Sequence, residues 1–203
     1  MDGLKLKESE DKSEYILGMY AQSDMKWSKL KSKLKARLTV MGIVRNIVSS
    51  LRLRKTIAEG IFNSILTYCV PLWGGLQQLQ VMQNMAAQHV LRLPRRSSRN
   101  EMFTSLGWLT VNQLVYFHTV MAVFKIRHTG EPEYLAGKMK YDNFRGGLVV
   151  PATNLSLAKN SFCFRGADCW ISLPLAIRNL KKIGEFKKAL KIHTMTKIPK
   201  FLD

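Results

Sequence analysis

Lysine and arginine side chains are concentrated in one segment near the start of this sequence. Between Met25 and Lys55 there are ten Lys and Arg and no Asp or Glu. Ten like charges repel one another unless a polyanion faces them, and a phosphate backbone is a polyanion that such side chains bind. A solvated face without contacts is the alternative for any one residue. The candidate contact residues of this segment are Lys26, Lys29, Lys33, Arg37, Arg45, Arg52, Arg54 and Lys55.

A second basic cluster follows further along the chain, and its candidate contact residues are Arg95, Arg96 and Arg99. The whole chain of 203 residues has a net charge of +18, and six of its fourteen acids lie in the first 24 residues. Such a surface attracts DNA, RNA or anionic lipid.

The acidic residues do not form a catalytic pattern. Polynucleotide synthesis or cleavage with two metal ions requires clustered carboxylates, and no two aspartates of this chain are adjacent. The sequence also has no GxxxxGK[ST] phosphate loop and no GxSxG elbow. We therefore expect no catalytic residues, no metal ligands, no cofactor and no small-molecule substrate.

Histidine and cysteine are equally scattered. Cys163 and Cys169 are six residues apart and make a weak metal pair, and no His has another His or Cys at zinc-ligand spacing. His118 falls on an apolar helix, which favours a hydrogen-bonded core residue over a catalytic base. Cys69 is expected to be a small buried hydrophobe, and Trp27, Trp73, Trp108 and Trp170 are expected in the core rather than stacked on bases.

The elements that position the basic residues are predicted to be helices. Apolar residues recur at steps of three and four from Trp27 to Val48, which predicts one amphipathic helix from an N-cap at Asp24 to Ser49 or Ser50. A second helix is predicted from Leu53 to about Pro71. A third, with a Gln-rich face, is predicted from Leu76 to Pro94.

The later part of the chain has two capping boxes, Ser98 with Glu101 and Thr110 with Gln113. The second box begins a helix from Val111 to about His128, which is apolar on most sides and is expected at the centre of a core. The last helix should run from Gly184 to about Met195, with Lys187, Lys188 and Lys191 on its polar face. Short strands are predicted at Tyr15–Met19, Leu148–Val150 and Ser161–Arg165.

These patterns predict a mainly α fold: a helical bundle followed by a smaller α+β C-terminal region with one or two short strands. The expected organisation is a polar tail over residues 1–14, a helical region over 15–96 and a C-terminal region over 97–203.

No membrane partner is expected, although residues 57–75 carry no basic side chain. Glu59, Asn63 and Pro71 interrupt this stretch, which favours a buried helix over a membrane span. The first fourteen residues are acidic and polar, so we expect no secretory signal, reduced thiols and an intracellular protein, nuclear or cytoplasmic.

Several short motifs resemble the thumb and post-thumb region of the reverse transcriptases of non-LTR (LINE-type) retrotransposons. They occur in the family's order and span about Ser9 to Met195. The motifs are Tyr15-Ile16-Leu17-Gly18, Asp24-Met25-Lys26-Trp27, Ile65-Leu66-Thr67-Tyr68-Cys69, Trp73-Gly74, the stretch 79–87, Leu106-Gly107-Trp108-Leu109, Pro132-Glu133-Tyr134-Leu135, the stretch 161–167, Trp170-Ile171-Ser172-Leu173-Pro174 and Phe186-Lys187-Lys188-Ala189-Leu190.

The resemblance implies a thumb-like helical region over 15–96, a post-thumb region after it, and a catalytic palm with paired aspartates upstream of the matched region. It implies two partners: a DNA or RNA duplex held by its backbone, and the palm of the parent enzyme. Three features depart from the family. Fewer residues separate Gly75 from the Gln-rich helix, Gln88 stands where Arg is common, and no Cys-His knuckle follows Phe186.

Three functions are compatible with the sequence. The first is a non-catalytic fragment of an RNA-directed DNA polymerase that binds primer-template nucleic acid without sequence specificity. The second is a decayed retrotransposon open reading frame with no activity of its own, in which apolar surface on the first helices is left uncovered. The third is complementation of a catalytic partner in trans.

Overall fold

A computed structural model describes residues 13–16, 19–22, 27–68, 70–73, 77–142, 147–152 and 161–196. The fold is mainly α, as predicted. A hairpin comes first, formed by β1 (Ser13–Ile16) and β2 (Met19–Gln22), with Ser13 paired to Gln22. The first helical half contains α1 (Ser28–Ile47), α2 (Leu51–Ala58), a π-helical segment (Glu59–Asn63), α3 (Ser64–Thr67), α4 (Val70–Trp73) and α5 (Gln77–Leu91).

The second half begins with α6 (Arg99–Leu106), α7 (Val111–Thr129) and α8 (Glu133–Lys138). A two-stranded antiparallel sheet of β3 (Tyr141–Asp142) and β4 (Gly147–Leu148) follows. The chain then forms α9 (Phe162–Ile171), α10 (Leu175–Arg178) and α11 (Ile183–Thr196).

The first hydrophobic core is built on the apolar stripe of α1. Leu34, Leu38 and Met41 are buried at helical spacing and pack with residues of α2, the π-helical segment, α3, α5 and α6. Phe62 and Leu66 are fully buried in this cluster. The stripe thus fixes which side of α1 faces the protein.

The second core forms around α7, α9 and α11, with Phe124, Trp170 and Phe186 stacked at its centre. Thr110 begins α7 with the predicted capping box, and Gly130, at φ 72°, ends it. Leu114 of α7 packs against both clusters. The α7 helix therefore contributes to both cores, whereas its apolar surface predicted a place at the centre of one.

The predicted strand over Ser161–Arg165 is wrong. The Ser161 hydroxyl accepts a hydrogen bond from the Phe164 amide at 3.3 Å and caps α9. Gly166, Ala167, Cys169 and Trp170 then supply a buried helical face. Five residues of apparent alternation are too few to distinguish a strand from a helix start.

Other boundaries differ by a few residues. The strand expected over 15–19 is the hairpin of β1 and β2, and the strand expected over 148–150 is β4, which ends at Leu148. The helix expected to stop near Pro71 ends at Thr67, and Pro71 lies in the first turn of α4, where its missing N–H costs nothing. Ser98 is at the N-cap of α6 without a side-chain hydrogen bond, and the predicted N-cap Asp24 lies outside the described residues.

Gly166 gives a test of the packing between α9 and α7. A Cβ at this position would lie 2.9 Å from Cγ2 of Val123 and 3.2 Å from Cε of Met139. We predict that Gly166→Ala lowers the free energy of unfolding by about 1–3 kcal/mol through overpacking. Gly184→Ala, where nothing lies within 4 Å of the new Cβ, should be neutral or stabilising by up to about 1 kcal/mol. Urea denaturation measures both, and equal effects would contradict the packing described here.

Candidate nucleic-acid interface

The outer face of α1 is divided into two halves of different chemistry. Its N-terminal half carries Lys33, Lys35 and Arg37, which are exposed, and Lys29 and Lys31, which are half-buried. Nζ of Lys31 donates to Oε1 of Gln78 on α5 at 3.0 Å. The stripe of buried leucines holds this half of the helix rigidly. The basic N-terminal half of α1 is therefore a surface that a polyanion could contact; Lys26 lies outside the described residues.

The C-terminal half of the same outer face is apolar. Val40, Ile43 and Ile47 are 40%, 55% and 76% exposed, and Leu51 and Leu53 of α2 are about half exposed. We call these five residues the apolar strip. Uncovered aliphatic surface of this kind is unusual on an isolated protein. The predicted contact residues therefore do not form one continuous basic surface along α1.

Arg54 does not lie on the surface, and its prediction as a phosphate contact is wrong. The side chain is 6% exposed. Its Nε donates to the Val90 carbonyl at 2.7 Å, and its Nη1 donates to the carbonyls of Val48, at 2.8 Å, and Ser49. Burial lowers the pKa of Arg54, and the charge of Arg92 lowers it further. These three hydrogen bonds all go to backbone carbonyls, so Arg54 is a structural residue.

Arg92 is a second arginine whose side chain binds backbone carbonyls. Nothing in the sequence pattern distinguishes it from its basic neighbours. Its Nε donates to the carbonyl of Arg45 at 2.9 Å, and its Nη2 donates to that of Val48 at 3.0 Å. The backbone of Arg92 has φ 57°, a left-handed conformation that is uncommon outside glycine. Arg54 and Arg92 thus satisfy carbonyls left open at the C-terminal ends of α1 and α5. We call this region the arginine junction.

Exposed arginines surround the arginine junction. Arg52 lies two residues from Arg54 on the exposed side of α2, and Arg95 and Arg96 lie in the turn after Arg92. The Gln88 amide donates to the Arg95 carbonyl at 3.0 Å and fixes this turn. Within the described ranges, Arg52, Arg95, Arg96 and Arg99 form no ion pair. These four predicted contact residues are therefore accessible to an anion.

Two predicted contact residues, Arg45 and Lys55, are less accessible to a phosphate backbone. Arg45 is half-buried and lies beside His89, whose pKa is lowered first by burial and then by the charge of Arg45. Nζ of Lys55 lies 3.8 Å from Oε1 of Glu59, and the same oxygen accepts a hydrogen bond from Nε1 of Trp108 at 3.1 Å. Part of the Lys55 charge is thus balanced within the protein.

The Gln-rich face of α5 is structural. The Gln83 amide donates to the Leu109 carbonyl at 2.9 Å, and Oε1 of Gln80 accepts from the Val111 amide at 2.8 Å. These two side chains satisfy backbone groups at the start of α7. Hydrogen bonds to a backbone carbonyl and a backbone amide require polar side chains but no charge, which explains why this face of α5 is polar and nearly uncharged.

Tryptophan, histidine and cysteine side chains are the other candidates, and most of those described are buried or half-buried. Trp27, Trp108 and Trp170 are buried, as predicted, whereas the side chain of Trp73 lies outside the described residues. Burial lowers the pKa of His118, with smaller effects from Lys187 and Lys125, and burial raises the pKa of the Cys169 thiol to about 12. In the part of the chain that the structure describes, no three His, Cys, Asp or Glu side chains are grouped so that they could hold a metal ion.

Searches of protein-family models, curated proteins and solved structures find no match to this chain. Among the helices that the structure describes, none has the length and apolarity needed to cross a membrane.

The role of Arg54 can be tested by removing its donors. Arg54→Met removes the side-chain donor of the Ser49 and Val90 carbonyls and one of the two donors of the Val48 carbonyl, so we predict a loss of about 2–4 kcal/mol in the free energy of unfolding. Arg52→Met, on the exposed side of the same helix, should change it by less than about 0.5 kcal/mol. Chemical denaturation measures both. If the two variants were equally stable, Arg54 would not hold the junction.

Two half-buried histidines predict a pH dependence of stability. The pKa values of His89 and His118 are lowered in the folded protein from the usual 6.5. The unfolded chain then binds more protons below that pH, so stability should be complete above about pH 6.5 and should fall as the pH drops through it. Urea denaturation at about pH 7.5 and about pH 5.5 measures this change. The double variant His89→Gln, His118→Gln should show a smaller loss, and stability that rose on acidification would contradict the assignment.

Proposed function

We propose that this chain binds nucleic-acid duplexes through their phosphate backbone, as the thumb and post-thumb portion of a non-LTR retrotransposon reverse transcriptase. The observation that carries the proposal is the basic N-terminal half of α1, where exposed Lys33, Lys35 and Arg37 are mounted on a helix fixed by its buried stripe. Lys35 and Arg37 form no ion pair within the described residues. Accessible arginines around the arginine junction add a second group of cations.

The chemistry supports contact with the backbone and not with bases. Lys and Arg bound to phosphates position a duplex and carry no sequence information. Three of the four tryptophans are buried and cannot stack on bases. The mainly α fold also agrees with the helical thumb that the sequence motifs resemble. The proposal contains no catalytic role, because the palm aspartates of the family lie upstream of the matched region.

Salt dependence tests this proposal. We predict that the chain binds duplexes of unrelated sequence equally at about 50 mM salt and that affinity falls steeply toward about 200 mM. In the triple variant Lys33→Gln, Lys35→Gln, Arg37→Gln, the slope of log K against log salt should decrease by about 0.9 for each phosphate that is no longer neutralised. Fluorescence anisotropy with a labelled duplex measures the slope.

A matched control removes the same charge elsewhere. Lys125, Lys138 and Lys140 are exposed residues of the second half, and their change to Gln should alter the slope much less. Absence of binding to any duplex at low salt, or equal slopes for the two triple variants, would contradict the proposed interface.

The apolar strip favours a second candidate, a decayed open reading frame whose product has no evolved activity. The first helix exposes three aliphatic side chains, Val40, Ile43 and Ile47. Exposed apolar surface on this helix is expected of a fragment that is separated from its palm. This candidate predicts concentration-dependent self-association in sedimentation velocity and weak hydrogen-exchange protection of α1 and α5. A monodisperse protein with protected helices would exclude it.

A further inference from the structure

We propose that α11 carries a second surface for the nucleic-acid backbone, separate from α1, so that one chain can hold two duplex segments at once. This inference goes beyond the function proposed above, which needs only α1 and the arginine junction. It starts from the charge of the C-terminal segment. Between Cys169 and Leu202 there are eight Lys and Arg and a single acid, Glu185.

The geometry presents this charge on one side of the helix. Phe186 and Leu190 of α11 are fully buried in the second core. The Gln113 amide donates to the carbonyl of Thr194 at 2.8 Å and ties the helix to α7. Lys187, Lys188 and Lys191 are exposed and form no ion pair within the described residues. A rigid helix thus displays three cations toward solvent.

The lysines of α11 repel one another in the absence of an anion. Lys187 and Lys191 are four residues apart, and Lys188 and Lys191 are three apart, which are the spacings at which like charges on a helix repel. Lys181 and Lys182 precede the N-terminal end of α11, where the helix dipole disfavours cations. Glu185 pairs with Lys182 at 3.3 Å and leaves the others unbalanced. A bound polyanion would relieve all of these repulsions.

The exposed side chains select a backbone ligand. The large hydrophobic side chains exposed on α11 are Ile183, Ile192 and Met195; none is aromatic, so the surface offers no platform for stacked bases. An anionic membrane is the alternative ligand, but Phe186 and Leu190, the main apolar residues of the helix, are buried in the second core and cannot enter a bilayer. Lysines bind the phosphates of a duplex and of anionic lipid headgroups alike, and the burial of Phe186 and Leu190 favours the duplex.

The two surfaces belong to different cores. The α1 helix packs in the first cluster, whereas α11 packs in the second. Binding at one surface therefore does not occupy the cations of the other. Two sites on one chain would raise the effective concentration of a second nucleic-acid segment near the first.

Bridging of two duplexes tests the inference. Short duplexes labelled with a donor or an acceptor fluorophore are mixed with the full chain at about 50 mM salt. The expected result is energy transfer between duplexes, and a stoichiometry of two duplexes per chain in sedimentation velocity. In the variant Lys187→Gln, Lys188→Gln, Lys191→Gln, the transfer should fall to background while one duplex remains bound. The control variant Lys138→Gln, Lys140→Gln should keep both duplexes; Lys125 is left unchanged because its charge, like that of Lys187, acts on His118.

His118 provides a second readout for the same surface. Its pKa is lowered in part by the charge of Lys187, so a polyanion on α11 should raise the pKa of His118, measured by NMR. A one-to-one complex of the unaltered chain, or bridging and a His118 shift that persist in the α11 variant, would overturn the inference. The inference would also be overturned if the α11 variant bridged duplexes normally and lost only its binding to phosphatidylserine vesicles. These outcomes leave the α1 interface intact, because that interface is contradicted by absence of duplex binding at low salt or by equal salt slopes for the α1 variant and its control.

Discussion

The guanidinium of Arg54 is the constraint on which the arrangement of the first half depends. A helix leaves its last carbonyls without intrahelical partners, and α1 and α5 bring such carbonyls together at the arginine junction. Arg54 reaches the last turn of α5 and the link between α1 and α2, and Arg92 reaches the end of α1. The orientation of α1 against α5, and hence the direction in which its lysines point, follows from these bonds together with the buried stripe.

This arrangement separates basic residues that look alike in the sequence. Arg54 and Arg92 serve the backbone, whereas Arg52, Arg95 and Arg96 remain available on the surrounding surface. Lys33, Lys35 and Arg37 form another accessible group, and the apolar strip lies along the remainder of α1. A polyanion could therefore contact two groups of cations on this half of the molecule, but not a continuous row along the helix.

Much of the fold could be predicted from periodicity and capping. The buried positions of α1, the capping box of α7 and the central place of α7 all follow from short-range patterns. The burial of Arg54 could not be predicted, because it depends on where the end of α5 lies, 36 residues further along the chain. The structural use of Gln80 and Gln83 depends in the same way on distant backbone groups. A helical projection places the exposed aliphatic residues of α1 on one face, but the high charge of the segment as a whole conceals this strip.

In the proposed complex, accessible cations of the first half contact phosphate while Arg54 supports the structure, and NMR of the arginine Nε–Hε groups distinguishes these two roles. During titration with a short duplex, the Arg37, Arg95 and Arg96 signals should shift, and the Arg54 signal should stay unchanged and protected from exchange. A shift of the Arg54 signal with unchanged signals from the exposed arginines would contradict these roles.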